Sequence, residues 1–452
     1  MKPARLLLAS ALVAAASLPL FSARASEVLR VASVKPPAPG LLPYLENEVV
    51  VQFRDGADDQ IAERAIRFVG GRQALRSRFG SRFRVTLSEG VTLSQALARF
   101  SSLPEVDFAE ANGRVRAYQA QRFRPNDDLY PYQWHLRMVD AERTWGIQKG
   151  DASMAVAVLD TGIAYEDFGP FRKLPDFATT VFLQGTDIIN GDSHANDDNF
   201  HGTHVAATVA ESTNNDLGAA GLAFGCALMP VKVLDAEGNG SFFEVAEGMD
   251  YAVEFRQNGQ NPVKVINLSL GGDVGSELMR RAVDRAVGAG ITVVAAAGNE
   301  GSGQVGFPAS YENAIAVGAV DGRKERAPYS NFGSALDIMA PGGNSRRDDT
   351  GLNDRPDGFP DGVLQQTFDP DAAAIGDYRD FGFFFVTGTS QATPHVAATA
   401  CLLYRQGITD PAAIKAIIQQ TAEDLGPAGR DDTFGFGLVR PSVALSGYGL
   451  NR

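Results

Sequence analysis

The stretch MAVAVLD, Met154 to Asp160, is a nearly continuous apolar run of strand length that closes on a carboxylate. A run without polar alternation suits a strand covered on both faces. Similar runs follow at Val263 to Leu268, Ile291 to Ala296 and Ala314 to Val320. Helical patterns intervene at Phe243 to Phe255, Ser276 to Ala289 and Thr393 to Tyr404. Strands alternating with helices predict an α/β fold of three layers, α/β/α, around a central and mostly parallel sheet. Reactive groups in such folds gather outside the carboxyl ends of the strands, where Asp160 is placed.

Working outward, 452 residues exceed one ordinary domain, and 44% apolar content is enough for a sizeable core. Residues 1–25 read as a signal peptide: Lys2 and Arg5, an apolar stretch from Leu6 to Phe21, then Ala23, Arg24 and Ala25. The apolar stretch is short for spanning a membrane and contains Pro19. Residues 26–45 form a proline-rich linker. Residues 46–118 follow as a small α+β domain. Its expected strands are Glu48 to Phe53, Phe83 to Leu87 and Pro104 to Ala109, with helices from Asp58 to Val69 and Thr92 to Phe100. Residues 119–125 read as an exposed, cleavable junction, and residues 126–446 as the main domain. Within it, residues 342–384 turn rich in Asp, Gly, Pro and Arg and read as a long surface insertion.

Charge divides along the same lines. Residues 46–124 hold 13 arginines and 10 acids, whereas residues 125–452 hold 23 basic and 43 acidic groups. An acidic body argues against nucleic acid or an anionic membrane as partner and favours solubility and cation binding. The two cysteines, Cys226 and Cys401, are too few to staple a small scaffold, and the sequence leaves open whether they pair.

Three motifs fall at strand ends or helix starts. Asp160 by itself reads as a turn residue. HGTHVA, from His201, opens a helical run; His201 and His204 are spaced for zinc, but no third ligand follows at a familiar distance. Ser390 in GTSQATPHVAATA precedes a helix, where a serine by default is a cap. The three together change that reading, because a serine nucleophile needs an imidazole to take its proton and a carboxylate to orient the imidazole.

The order Asp, His, Ser is that of the subtilisin template. From about Asn126 to Leu445 the chain resembles a subtilase catalytic domain, through VAVLDTGI, FHGTHVAATVA, LMPVKVLDAEGNGS, VINLSLGG, VVAAAGNEG, AIAVGAV, GTSQATPHVA and FGFGLV. An α/β-hydrolase is excluded by Ala392, where that motif needs glycine. The resemblance implies a serine endopeptidase in which Asp160 orients the imidazole, His201 is general base and then acid, Ser390 attacks the carbonyl, and His204 is structural. Asn299 matches the side-chain oxyanion donor. Peptide substrate is expected as an extended strand between Gly238 to Phe242 and Ser269 to Gly272, bound by Gly240, Phe242, Ser269, Leu270 and Gly271, with Phe242, Val245 and Leu270 lining an apolar pocket four residues before the scissile bond.

Residues 46–118 resemble the inhibitory propeptide of these enzymes, which acts in cis on a body of opposite charge, the whole expected as a monomer; salt is expected to weaken that inhibition. The resemblance also implies a structural Ca²⁺ site at Asp127, Asp176, Thr213, Asn215, Leu217 and Ala219, in oxygen-rich loops. Secretion follows from the signal peptide, to the exterior or to the periplasm. Three departures stand out. Gln391 replaces a methionine found in many relatives, which implies tolerance of peroxide. Ala207 and Ala398 replace glycines, each adding a methyl between close-packed elements. The rival readings are a non-catalytic peptide-binding protein and an exported small-domain chaperone; the complete triad speaks against both.

Overall fold

A strand that is apolar on both faces needs helices on each side, and the larger part of this chain supplies them. The protein is described here by a computed structural model covering residues 44–54, 57–113, 122–348, 350, 356 and 358–447. The expected signal peptide and nearly all of the linker lie outside the described residues. Among the described residues, no helix is long and apolar enough to cross a membrane. The chain divides into two compact units, one before residue 120 and one after it.

In the smaller unit, β1 (Tyr44–Phe53), β2 (Gly71–Arg76), β3 (Arg82–Leu87) and β4 (Val106–Gly113) form an antiparallel sheet in the order β2-β3-β1-β4. Helices Asp59–Val69 and Leu93–Ser101 pack with it around Val49, Val51, Val85, Ile66 and Phe100. Asp58 caps the first helix at Ile61 N, and Thr92 and Gln95 cap the second reciprocally. The unexpected strand is β2. Its arginines and Leu75 face solvent, so no buried alternation announces it.

In the larger unit, β5 (Ala155–Asp160), β6 (Thr186–Asp187), β7 (Ala227–Lys232), β8 (Val263–Leu268), β9 (Thr292–Ala296), β10 (Ala314–Val320) and β11 (Ile338–Pro341) form a sheet in the order β11-β10-β9-β8-β5-β7-β6. Every neighbouring pair is parallel. Val156 and Val158 of β5 enter one core, closed by helices His201–Ala210, Thr389–Arg405 and Pro411–Gln420. Ala155, Ala157 and Leu159 enter the other, closed by helices Phe242–Glu254 and Glu277–Gly288. These are the expected three layers. The chain leaves β5 toward β7 on one side and continues from β8 on the other, so the crevice at the carboxyl end of β5 is a topological switch point.

Several expectations are corrected. The helix carrying Ser390 starts at Thr389, not Thr393, and runs unbroken through Pro394. The segment 342–384 is not a surface insertion throughout: β12 (Val363–Phe368) and β13 (Phe381–Val386) form an antiparallel hairpin, and β12 is buried along its whole length. Its polar side chains are matched by distant partners, Gln366 Oε1 accepting from Asp176 N and Thr367 Oγ1 donating to Phe200 O. The exposed junction expected through residue 125 stops earlier. Phe123 packs edge-on against Trp145, lies under the Lys149 ammonium, and donates its N–H to Glu142 O. Cys226 and Cys401 are joined as a disulfide between the loop entering β7 and the Ser390 helix.

Candidate active site

Each expected reactive residue sits at the end of an element that fixes it. Asp160 is the last residue of β5 and fully buried. Its Oδ1 accepts from Thr161 N at 2.8 Å and from His201 Nδ1 at 2.7 Å. His201 opens its helix, and Gly202 lets that helix approach β5: a Cβ at Gly202 would lie 2.1 Å from Gly162 O and 3.1 Å from the Asp160 side chain. Burial by itself would lower the His201 pKa. The Asp160 charge and hydrogen bond, with Asp197 beyond, outweigh it and hold the imidazole above its ordinary value.

Two residues near His201 were missed by sequence reasoning. Asp197 is buried and gathers the loop: it accepts from Thr161 Oγ1, Thr203 N and Oγ1, Asn199 N and Phe200 N. Phe200, just before His201, has φ 105°, a left-handed conformation that costs a non-glycine residue about 1–3 kcal/mol. Asp197 and Thr367 hold it there from either side. The only available signal was the pair Asp197-Asp198 ahead of HGTH. Asp198 pairs with Lys232, whose buried Nζ also donates to Thr161 O and Leu234 O.

Ser390 is the second residue of its helix and not its cap, which is Gly388. Its hydroxyl donates to Ser269 O at 3.0 Å. Among the described residues its N–H has no partner, as expected in the first turn of a helix. Asn299 follows β9. Its Oδ1 accepts from Thr389 N and Thr389 Oγ1, both at 2.9 Å, which fixes the amide against the residue before Ser390, and Asn299 and Ser390 line the same cavity. His204 faces away from this chemistry. Its Nε2 donates to Val363 O and Phe384 O, and burial drives its pKa down to about 4, so it stays neutral and anchors the hairpin.

Gly240, Phe242, Val245, Ser269, Leu270 and Gly271 all line one cleft of about 700 Å³, together with His201. A smaller cavity of about 240 Å³ lies beside Ser390 and Asn299 and is also edged by Asp273 and Glu300. The residues expected to bind substrate thus share one cleft with His201, and Ser390 and Asn299 line the smaller cavity, which shares Leu270, Gly271 and Gly272 with that cleft.

The expected cation ligands meet only in part. Asp127 accepts from Asn214 N and Asn215 N, and Asp176 accepts from Asn215 Nδ2 and Ala219 N. Thr213 turns aside, its hydroxyl bonded to Glu211 O and Gly221 N. Leu217 and Ala219 have only carbonyl oxygens to offer. Among the described residues, no three His, Cys, Asp or Glu side chains converge as a ready metal cage. Burial is the main cause of raised carboxyl pKa values at Asp127, at Asp176 (to about 6) and at the enclosed Glu211, which sequence reasoning missed.

Comparison with known proteins places the chain in a family. Residues 151–437 match the family model described as the subtilase family, and residues 33–112 match that of the fervidolysin N-terminal prodomain. A thermophilic serine proteinase of Bacillus sp. (strain AK1) is 33% identical over 405 residues, covering 89% of this chain and 88% of that one. Thermitase of Thermoactinomyces vulgaris is 34% identical over 308 residues, 68% of this chain and 94% of its own. Among solved structures, a protease from Pseudoalteromonas arctica PAMC 21717 superposes with a TM-score of 0.61 at 30% identity, covering 72% of this chain and 99% of that one.

Proposed function

Because the chain belongs to the subtilase family of serine proteases, we propose that it is a secreted endopeptidase, made as an autoinhibited zymogen, that cleaves peptide bonds through an acyl-enzyme on Ser390. The observation that carries this reading is the 2.7 Å bond from His201 Nδ1 to Asp160 Oδ1. It fixes the tautomer whose Nε2 takes a proton. Peptide lies along Ser269 to Gly271 and Gly240 to Phe242, with its apolar side chain four residues before the scissile bond against Phe242, Val245 and Leu270. The Ser390 hydroxyl exchanges its bond to Ser269 O for one to His201 Nε2 and attacks the carbonyl. Asn299 Nδ2 and Ser390 N–H receive the oxyanion. His201 then protonates the leaving amine, and water repeats the cycle to release the acid.

Export is supported by the N-terminal sequence and by the Cys226–Cys401 disulfide, a bond that persists in oxidising compartments. Residues 46–118 act as the propeptide, and cleavage falls before Phe123, whose ring is held on Trp145. The Ser390→Ala chain is expected to accumulate at full exported length while the wild type is trimmed to an N-terminus upstream of Phe123. Mass spectrometry of both products distinguishes them, and trimming of both chains alike in a protease-free host contradicts processing in cis.

A bound Ca²⁺ is consistent with the loop from Thr213 to Ala219. Asn214, Asp216 and Gly218 take positive φ in alternation there, and Asp127 and Asp176 already face it. Asp127, Asp176, Asn215 and the carbonyls of Leu217 and Ala219 would hold the ion, which supplies positive charge among buried acids and stiffens the loop. Thermal midpoints with EDTA and with added Ca²⁺ are expected to differ by several degrees, and equal midpoints contradict the site.

A further inference from the structure

Pro394 lies inside the helix of Ser390, four residues beyond it. A proline has no N–H to give the carbonyl four residues back, so the Ser390 carbonyl loses its helical donor. Its donor is instead the Ser269 hydroxyl, at 2.8 Å. The Ser390 hydroxyl donates in return to the Ser269 carbonyl at 3.0 Å. The Ser269 hydroxyl is itself oriented, because it accepts from Asn267 Nδ2 at 3.0 Å and so keeps its single proton for Ser390. Asn267 and Ser269 are both buried, which removes water as a substitute donor.

We propose that the Ser269 side chain is a positioning residue for catalysis: its hydroxyl replaces the hydrogen bond that Pro394 removes and thereby fixes the first turn of the nucleophile's helix against the end of β8. This rests on Ser390 being the nucleophile. Without that hydroxyl the Ser390 carbonyl is left without its partner beside the buried Ser269 side chain, and the turn must shift to find a donor. The shift moves the Ser390 N–H and hydroxyl relative to Asn299 and His201, where a displacement of about 1 Å is worth roughly 10²-fold in rate. Substrate pairing uses the backbone from Ser269 to Gly271, which alanine keeps. The loss therefore falls on kcat and spares KM.

A double-mutant cycle tests this, because Pro394→Ala restores an N–H at position 394 and makes the hydroxyl dispensable. Mature wild type, Ser269→Ala, Pro394→Ala and the double variant are compared per active site, counted by fluorophosphonate titration, with thermal midpoints measured alongside. With proline in place, Ser269→Ala is expected to lower kcat about tenfold or more and to change KM by less than about twofold. With Pro394→Ala present, the same substitution is expected to cost less than about threefold. Ser269→Thr keeps the hydroxyl and is expected to keep most of kcat, which preserves a readout if Ser269→Ala does not fold. An equal loss in both backgrounds, a loss below twofold with proline in place, or a Ser269→Thr variant as slow as Ser269→Ala overturns the proposal. Failure of the nucleophile reading looks different: no protein in the series, wild type included, titrates with fluorophosphonate.

Discussion

In the proposed mechanism His201 is the residue on which the chemistry turns, and its environment sets the pH at which that mechanism runs. The imidazole must be neutral to take the Ser390 proton. Burial favours the neutral form, but Asp160 and Asp197 favour the charged one and prevail. A raised pKa means that activity appears only as pH climbs past a point above the ordinary histidine value of 6.5. The acidic limb of kcat/KM, which reports the free enzyme, is expected above 6.5. Asp160→Asn is expected to move that limb down and to lower kcat by about 10⁴-fold. A limb at or below 6.5 with Asp160 in place contradicts the assignment. Asp160, His201, Ser390 and Asn299, the residues of the proposed site, stood out in the sequence because each sits in a run that resembles the subtilase pattern. Asp197 and Phe200 were not, because their role lies in backbone geometry: a carboxylate that accepts several loop donors and a side chain held at φ 105° leave no periodic trace.

At the scale of elements, the site depends on how closely three segments meet. The His201 helix abuts β5 through Gly202, and the Ser390 helix is tied to the end of β8 by paired serines. Gly202→Ala puts a methyl group against the Gly162 backbone carbonyl and the Asp160 side chain, so that something at the site must shift. It is expected to lower kcat at least 100-fold with the protein still folded, since a shift of about 1 Å at the triad is enough. Near wild-type kcat in a folded Gly202→Ala protein contradicts the close approach. By contrast, Ala207 and Ala398 are fully buried in one and the same core, where their methyl groups form part of the packing. The parallel strands were readable because both their faces are apolar. The hairpin of β12 and β13 was not, because Gln365, Gln366 and Thr367 in β12 look like loop chemistry until their distant partners are known.

For the molecule as a whole, the sequence divides by charge where the structure divides into units, between an arginine-rich N-terminal part and an acidic body. The boundary itself was less legible: a polar, aperiodic segment hides that Phe123 is anchored by an aromatic cluster formed with Trp145 and Phe224. The disulfide between Cys226 and Cys401 was likewise undecidable from two cysteines separated by 175 residues. In the proposed function, the reaction rests on one serine made reactive by groups from distant parts of the chain. The most direct test is labelling with a fluorophosphonate, which reacts only with an activated serine, followed by peptide mapping and casein hydrolysis. Mature wild-type protein is expected to carry one label, on Ser390, and to cleave casein, while Ser390→Ala takes no label and does not cleave; mature wild-type protein that remains unlabelled, or a label that persists in Ser390→Ala, contradicts the assignment of Ser390 as the nucleophile.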